Sequence, residues 1–226
     1  MPEAHETYDD EYYLGLPVDS GRIDAIVRLL DLHENAVVCE IGCAAGHFLA
    51  AIGDQVGRGT GIDTADAAIR AASRIRDEQK LQNIEFEAIS AQNFAANPDR
   101  QNKCDYVFLM DVTEHIDDSV MLEVLDASRM LLKNEGRLVI HTPNLNYWLE
   151  RLKDKNIVPQ LEGHIAVRNL AQYKHLLEKA GFSIERHVDL AHYRQPLRLV
   201  DTVLLHVPLI GGLFASRLFV VAVKHD

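Results

Sequence analysis

The sequence has few cysteines and no long uninterrupted apolar run. Its three cysteines, Cys39, Cys43 and Cys104, lack the paired spacing of a zinc-binding knuckle. We interpret them as reduced thiols of a cytoplasmic protein. The longest mainly apolar stretch, residues 197–218, is interrupted by charged residues, proline and glycine. The sequence therefore predicts no integral membrane segment.

Basic residues are scarce relative to acidic ones. The chain has 23 lysines and arginines against 34 aspartates and glutamates, a formal net charge of −11. A nucleic-acid-binding protein normally carries a basic face, so we expect no nucleic-acid partner. The first six residues are acidic and polar, which is not the pattern of a secretory signal. We expect a cytoplasmic location.

Short apolar runs alternate with segments of helical spacing. Strands are predicted at residues 36–41, 60–63, 83–89, 106–110, 137–141, 182–188 and 217–224. Helices are predicted from residue 20, at 47–56 and 66–79, from 119, and at 169–180, with 134–136 ending the fourth of them. Strands regularly separated by helices predict an α/β fold with a mostly parallel sheet. Without a repeat or a linker, the chain is predicted to be one domain over residues 1–226.

A turn rich in small residues follows the first predicted strand, at residues 42–46. An open parallel sheet binds ligands beyond the carboxyl ends of its strands, and small residues there allow a ligand to approach the backbone. Asp63 ends the next strand, about 20 residues on, where a carboxylate can accept hydrogen bonds from ribose hydroxyls. Asp63 could instead cap the following helix.

The glycine spacing separates two classes of cofactor. A dinucleotide site needs glycine at the first, third and sixth positions of the turn, and this chain has Gly42, Ala44 and His47 there. S-adenosylmethionine (SAM) has no phosphate, and it carries cationic groups that Glu40 suits. The turn therefore favours SAM over a nicotinamide dinucleotide.

The segment Glu40-Ile41-Gly42-Cys43-Ala44-Ala45-Gly46 resembles the first motif of class I SAM-dependent methyltransferases, in the branch that includes ubiquinone and menaquinone biosynthesis enzymes. Residues 61–63, 105–116, 136–144 and 176–182 resemble later motifs of the same family. The resemblance implies a Rossmann-like, doubly wound, mostly parallel seven-stranded sheet with an antiparallel C-terminal strand. Ala44 departs from the family, which usually has glycine there.

The resemblance also implies which residues bind SAM and its product S-adenosylhomocysteine. Arg22 would bind the carboxylate of the cofactor and Asp63 its ribose, and Ser90 stands where the family often has an adenine-binding acid. The full set of predicted cofactor-binding residues is Arg22, Glu40, Gly42, Cys43, Ala44, Gly46, Asp63, Thr64, Ser90, Ala91, Gln92 and Asp111.

Candidate catalytic residues follow the fourth and fifth predicted strands. His141, Glu114 and His115 are the predicted catalytic groups, since an oxygen acceptor must lose its proton to a base or a metal. Asp111, Glu114 and His115 resemble a divalent-ion site of quinone O-methyltransferases, yet they could simply position the cofactor. We expect no metal. His141 could equally be a core histidine.

Three segments could shape the acceptor site. Residues 1–20, with Tyr8, Tyr12 and Tyr13, are predicted to form a lid. Residues 145–168 form an insertion that includes Tyr147, Trp148 and His164. Residues 197–214 could contact a lipid-like acceptor, a membrane or a second subunit, and we favour ordinary core with a turn at 211–212.

The sequence thus predicts a SAM-dependent methyltransferase that acts on a small-molecule or lipid-like acceptor, with oxygen as the favoured methylated atom. Two alternatives stay open, a nicotinamide-dependent oxidoreductase and a SAM-binding partner protein without catalysis. The sequence does not decide between a monomer and a homodimer.

Overall fold

Apolar runs form the strands of this protein, as their pattern predicts. The computed structural model describes residues 9–15, 20–161, 163–193 and 195–225. The chain separates into two compact units. The first contains the residues up to 110 together with 126–136, and the second contains 111–125 together with the residues from 137 onwards. The single domain over 1–226 therefore stays a prediction.

Four parallel strands form the sheet of the first unit. They are β1 (Val37–Ile41), β2 (Arg58–Asp63), β3 (Ile84–Ala88) and β4 (Cys104–Met110). β1 pairs with β2 on one side and with β4 on the other, so that Glu40 lies opposite both Gly61 and Phe108. A strand with a partner on each side and helices over both faces is buried throughout, which explains its nearly continuous apolar sequence.

Helices precede and separate these strands. α1 (Asp10–Leu14) and α2 (Ser20–Val27) precede β1, whereas α3 (His47–Ile52), α4 (Asp66–Gln79) and α5 (Ala91–Ala95) follow β1, β2 and β3. Leu49 and Ile52 of α3 are fully buried, as their spacing predicts. The buried face of α4 consists largely of alanine, and small side chains let a helix approach its neighbours closely.

The chain passes from helix to strand without the predicted turn. α6 (Asp118–Leu131) is followed directly by β5 (Leu132–Pro143), so the prediction that 134–136 end the helix is wrong. The N–H groups of Asn102 and Lys103 donate to the last two carbonyls of α6, at 2.9 and 3.0 Å. Because these otherwise unpaired carbonyls are bonded by a neighbouring segment, the helix needs no glycine turn to end.

Three strands and three helices belong to the second unit. β5 continues into it, and β6 (Phe182–Leu190) and β7 (Arg217–Lys224) follow. β7 is antiparallel to both β5 and β6. The helices are α7 (Trp148–Asp154), α8 (Leu170–Lys179) and α9 (Leu197–Leu204). α7 lies inside the predicted insertion, where the sequence analysis predicted no helix.

The strand order is β3-β2-β1-β4-β5-β7-β6 in one seven-stranded sheet. The order reverses at β1, since the chain runs outward from β1 to β3 and then returns beside β1 with β4. This confirms the predicted Rossmann-like, mostly parallel sheet with an antiparallel C-terminal strand. The reversal point lies at the end of β1, where the turn at 42–46 follows.

The segment 197–214 is not ordinary core, and that interpretation is wrong. The side chains of Leu199 and Val203 are 66% and 63% exposed, whereas the buried residue of α9 is Asp201. The predicted turn is present as a 3-10 turn at Gly211–Leu213. Among the residues that the structure describes, no helix is both long and apolar enough to cross a membrane.

The packing around Gly46 can be tested by measuring stability. Its φ of +71° is left-handed, and a Cβ atom there would lie 2.4 Å from Cζ of Phe86. We expect Gly46→Ala to lower the free energy of unfolding by about 2–4 kcal/mol, from backbone strain and overpacking together. Gly212→Ala is the control, because a Cβ there meets nothing within 4 Å. Urea unfolding measures both, and equal stabilities would contradict the packing described.

Candidate active site

The turn after β1 is shaped by backbone hydrogen bonds. The N–H groups of Gly42 and Cys43 both donate to the carbonyl of Ile62, at 2.8 and 3.1 Å. Gly42 has a φ of +73° and Ala44 a φ of +46°. A left-handed φ favours glycine, which explains why the family usually has glycine at the position of Ala44. Ala44 adopts that conformation despite its side chain.

Asp63 joins this turn to the end of β2. Its Oδ2 accepts the N–H of Ala44 at 3.0 Å, and its Oδ1 accepts the N–H of Ala65 at 3.0 Å. The second bond is the local contact expected at the start of α4, so the residue does contribute to that turn. A carboxylate has about four lone-pair sites. Asp63 thus keeps acceptor capacity for hydroxyl groups of a ligand.

The predicted adenine-binding residues lie at the start of α5. Ser90 is the N-cap, and its hydroxyl oxygen accepts the N–H of Asn93 at 3.3 Å. Ala91 is buried and Gln92 half-buried. The N–H of Ile89 donates to the carbonyl of Asp63 at 2.9 Å, which ties the ends of β2 and β3 together. This segment and the exposed Thr64 therefore belong to the same edge of the sheet as Asp63.

Charged and titratable groups surround the turn in the first unit. Glu40 is buried on β1, directly before the turn. His47 begins α3, and burial together with the positive charge of Arg22 lowers its pKa. Arg22 on α2 is thus close to the first residue after the turn, as expected for a group that binds a carboxylate there.

Part of the predicted lid packs next to the turn. Tyr13 and Leu14 of α1 pack against a buried cluster of Ala45, Ala71 and Ile75. The guanidinium of Arg70 on α4 bonds Asp10 at 2.7 Å, and it holds the pKa of that carboxyl below its usual value. Ala45 is part of the turn itself. Tyr8 and residues 16–19 lie outside the described residues.

In the second unit, Asp111 is the centre of an ionic network. It has a left-handed φ of +53°, and its N–H donates to the carbonyl of His141 at 2.8 Å. Its Oδ1 accepts from Nη1 of Arg217 at 2.8 Å and lies 3.1 Å from Nδ1 of His141. His141 is fully buried, and its Nε2 lies 2.9 Å from the hydroxyl of Tyr193. Both ring nitrogens of His141 thus contact other side chains.

Glu114 is buried beside a cluster of hydroxyl groups. The hydroxyl of Thr142 donates to its Oε2 at 3.3 Å, and Thr142 in turn lies 3.1 Å from the hydroxyl of Tyr173. Burial, together with the negative charge of Asp111, raises the pKa of Glu114 to about 8. A carboxyl group with such a pKa holds a proton more strongly than an exposed one.

Two histidines complete a cluster with Glu114. His115 Nδ1 lies 2.9 Å from the carbonyl of Gly163, and because a carbonyl only accepts, Nδ1 carries the proton and Nε2 keeps a lone pair. The rings of His115 and His164 meet edge to face, 5.0 Å apart. Burial lowers the pKa of His164 to about 4, with a further contribution from His115. Ligand atoms of Glu114, His115 and His164 lie within 4.8 Å of one another.

This cluster differs from the predicted ion site. Asp111 is not part of it, and its Oδ1 is bonded by Arg217. His164 takes its place, 50 residues along the chain from Glu114, and its Nδ1 is buried without a hydrogen-bond partner. One carboxylate and two imidazoles fit Zn²⁺ or Fe²⁺ better than Mg²⁺, which prefers oxygen ligands.

Sequence reasoning missed the residue that holds this cluster in place. The guanidinium of Arg168 is buried, and it donates to the carbonyls of Thr113 at 2.6 Å, Ile116 at 2.8 Å and Ala166 at 3.0 Å. It also bonds the carboxylate of Asp118 at 2.8 Å. A buried arginine among backbone carbonyls has no local sequence pattern, so nothing in the sequence identified it.

Comparisons with known proteins identify the family of this chain. A family model described as a methyltransferase domain matches residues 18–187. Ubiquinone biosynthesis O-methyltransferase of Albidiferax ferrireducens is 32% identical over 110 residues, which cover 47% of this chain and 41% of that protein. The match thus spans less than half the length of that curated relative.

Solved structures share the fold at low identity. A SAM-dependent methyltransferase from Aquifex aeolicus has a TM-score of 0.67 at 17% identity, covering 97% of this chain and all of that chain. Geranyl diphosphate C-methyltransferase from Streptomyces coelicolor A3(2) has a TM-score of 0.66 at 14% identity, covering 92% of this chain and 81% of that chain. These likenesses show the fold alone. The family match, which covers more than half of the chain, shows that the protein belongs to the methyltransferase-domain family.

Proposed function

We propose that the protein transfers the methyl group of SAM to a hydroxyl oxygen of a small-molecule or lipid-like acceptor. The observation that carries this proposal is the cluster of Glu114, His115 and His164 in the second unit. Each of the three side chains offers an atom that can accept a proton. The O-methyltransferase named among the relatives supports the same chemistry.

Oxygen is favoured because of the proton that it must lose. Methyl transfer is a displacement on an already activated methyl group, so much of the acceleration comes from positioning the acceptor. A hydroxyl is a weak nucleophile until a base removes its proton, whereas an amine or a carbanion needs less help. A buried group of proton acceptors is therefore of most use to a hydroxyl acceptor.

Glu114 is the proposed general base. Its carboxyl is bonded by Thr142 and lies among groups that Arg168 fixes, so its position is well defined. His115 keeps an available Nε2 and is exposed, which makes it the second candidate. His141 is better suited to positioning, because its two ring nitrogens contact Asp111 and Tyr193.

The first unit supplies the proposed donor site. Asp63 would accept the ribose hydroxyls with its remaining lone pairs, and Glu40 would face the cationic end of SAM. Arg22 would bind the carboxylate of the cofactor. Ser90 and Gln92 would contact adenine, and Gly42 and Gly46 would leave room for the cofactor along the turn.

The same cluster could also bind a divalent cation. Glu114, His115 and His164 would hold it, and a bound cation would lower the pKa of an acceptor hydroxyl. The buried Nδ1 of His164 has no hydrogen-bond partner, which fits a ligand atom. Glu114 contributes the single carboxylate of the set, which does not fit a magnesium-dependent reaction.

The donor site is tested with Asp63→Asn. The amide of asparagine has one accepting oxygen and an NH2 group that only donates, so it cannot keep both backbone bonds and also accept from ribose. We expect the affinity for SAM to fall about 10- to 100-fold, corresponding to loss of hydrogen bonds to a charged group. Asp54→Asn is the control, since Asp54 is exposed. Titration calorimetry measures both, with NAD as a ligand expected not to bind; unchanged SAM affinity would exclude this role of Asp63.

The acceptor chemistry is tested with methyl-labelled SAM and a panel of hydroxylated aromatics that carry apolar tails of increasing length. Each is paired with its O-methylated analogue, which offers carbon acceptors alone. We expect labelling of the hydroxyl compounds and a loss of kcat of about 10²- to 10⁴-fold in Glu114→Gln, with SAM affinity unchanged. Glu135→Gln is the control for an exposed glutamate. Labelling of the O-methylated analogues would mean carbon methylation and would overturn the proposal.

Metal dependence is tested by chelation. We expect EDTA to change the rate less than about twofold and added Mg²⁺ to have no effect, because the cluster lacks the oxygen ligands that Mg²⁺ prefers. His164→Gln should then affect the rate equally with and without EDTA. A rate lost in EDTA and restored by Zn²⁺ alone would show that the cluster acts through a bound cation.

A further inference from the structure

The helix α9 buries a charged side chain and exposes apolar ones, the opposite of the usual arrangement. Its buried residue is the charged Asp201, and its exposed residues include Leu199, Val200 and Val203. Leu199, Val203 and Val207 are four residues apart in turn, so they follow one side of the helix and its C-terminal extension. Monomeric proteins seldom leave a continuous apolar face uncovered.

Hydrogen bonds to Asp201 fix this orientation. Oδ2 of Asp201 accepts the hydroxyl of Tyr147 at 2.9 Å and the N–H of His192 at 3.3 Å. The hydroxyl of Tyr147 is itself buried, and the acceptor raises its pKa together with burial. Turning α9 to bury Leu199 would expose Asp201 and leave that hydroxyl unbonded inside the unit, which is costly.

The loop after α9 extends the apolar face to a protruding point. Leu209 is fully exposed and has a left-handed φ of +70°, and Ile210 beside it is also exposed. An apolar tip of this kind has two favourable environments, a closely matching pocket on another protein or the fluid interior of a lipid layer. The second needs no matching shape.

The segment that carries this face has cationic side chains and a single acid. From residue 195 to residue 225 the chain has one acidic side chain, Asp201, and it is buried. Arg198 is exposed within α9. This segment differs sharply from the rest of a chain whose net charge is −11. Exposed apolar side chains beside an exposed arginine on the same helix complement an anionic lipid surface.

We propose that α9 and its following loop, residues 197–212, dock on the surface of an anionic lipid bilayer. Leu199, Val203 and Leu209 enter the interfacial region, and Arg198 contacts the lipid headgroups. The proposal rests on the exposed face and not on the proposed O-methylation, so each can fail without the other. It gives the second unit access to an acceptor that is dissolved in the bilayer.

The test is flotation of the whole chain with lipid vesicles, without SAM or acceptor. Vesicles of phosphatidylcholine with about one quarter phosphatidylglycerol are compared with vesicles of phosphatidylcholine alone. We expect the chain to float with the anionic vesicles. It should bind neutral vesicles more weakly, and high salt should weaken its binding to the anionic ones. The double variant Leu199→Asp, Val203→Asp should bind at least about tenfold less.

Two controls keep the outcome clear. Val120→Asp changes a partly exposed apolar residue on α6 and should float like the unchanged chain. Leu209→Asp guards against misfolding of the double variant, because its side chain is fully exposed and aspartate accepts a left-handed φ more readily than leucine. It should also reduce flotation, with thermal unfolding and SAM affinity unchanged.

Three results would overturn the proposal. The first is an unchanged chain that does not float with anionic vesicles, and the second is flotation that neither Leu199→Asp, Val203→Asp nor Leu209→Asp reduces. The third is a dimer in sedimentation equilibrium that the double variant dissociates while vesicles leave the unchanged chain unbound. That result would assign the face to a second copy of the chain.

Discussion

The carboxylate of Asp63 is the interaction on which the turn after β1 depends. It accepts backbone N–H groups from two different turns, at Ala44 and Ala65, and so fixes the turn after β1 relative to the end of β2. Without it, two N–H groups would need other partners and the left-handed conformation of Ala44 would be less well supported. The site is thus built mainly from backbone.

The second unit is organised by side chains. Arg168 binds three carbonyl groups, and the N–H groups of Ile165 and Ala166 both donate to the carbonyl of Glu114, so the inserted segment and the segment after β4 hold each other in place. A buried guanidinium with carbonyl and carboxylate partners has its hydrogen-bond donors satisfied inside the protein. This arrangement brings His164 to Glu114 and His115. The turn of the first unit is thus held mainly by backbone groups, whereas this cluster is held by side chains from distant parts of the chain.

This difference determines how much the sequence could predict. The strands, the turn at 42–46 and Asp63 were predictable because apolar periodicity and glycine placement are local properties. The ion-site hypothesis named Asp111 because of its spacing, whereas Arg217, 106 residues away, bonds Asp111 and leaves His164 to join the cluster. The outward face of α9 was missed for a similar reason. Its apolar residues have the spacing of a core helix, and their orientation depends on the hydrogen bond between Asp201 and Tyr147, 54 residues apart.

Burial of acidic side chains therefore has two separate consequences in the second unit. At Glu114, burial raises the pKa of the carboxyl group, which is the general base that we propose. At Asp201, burial turns the apolar side of a helix towards the surroundings. A protein that needed this helix merely to complete its core would gain by exchanging the positions of Asp201 and Leu199, since the apolar side chain would then be removed from water. With Asp201 buried, the apolar side chains of α9 stay exposed in the isolated chain. Removing them from water on a lipid surface, as we propose, would favour binding to that surface.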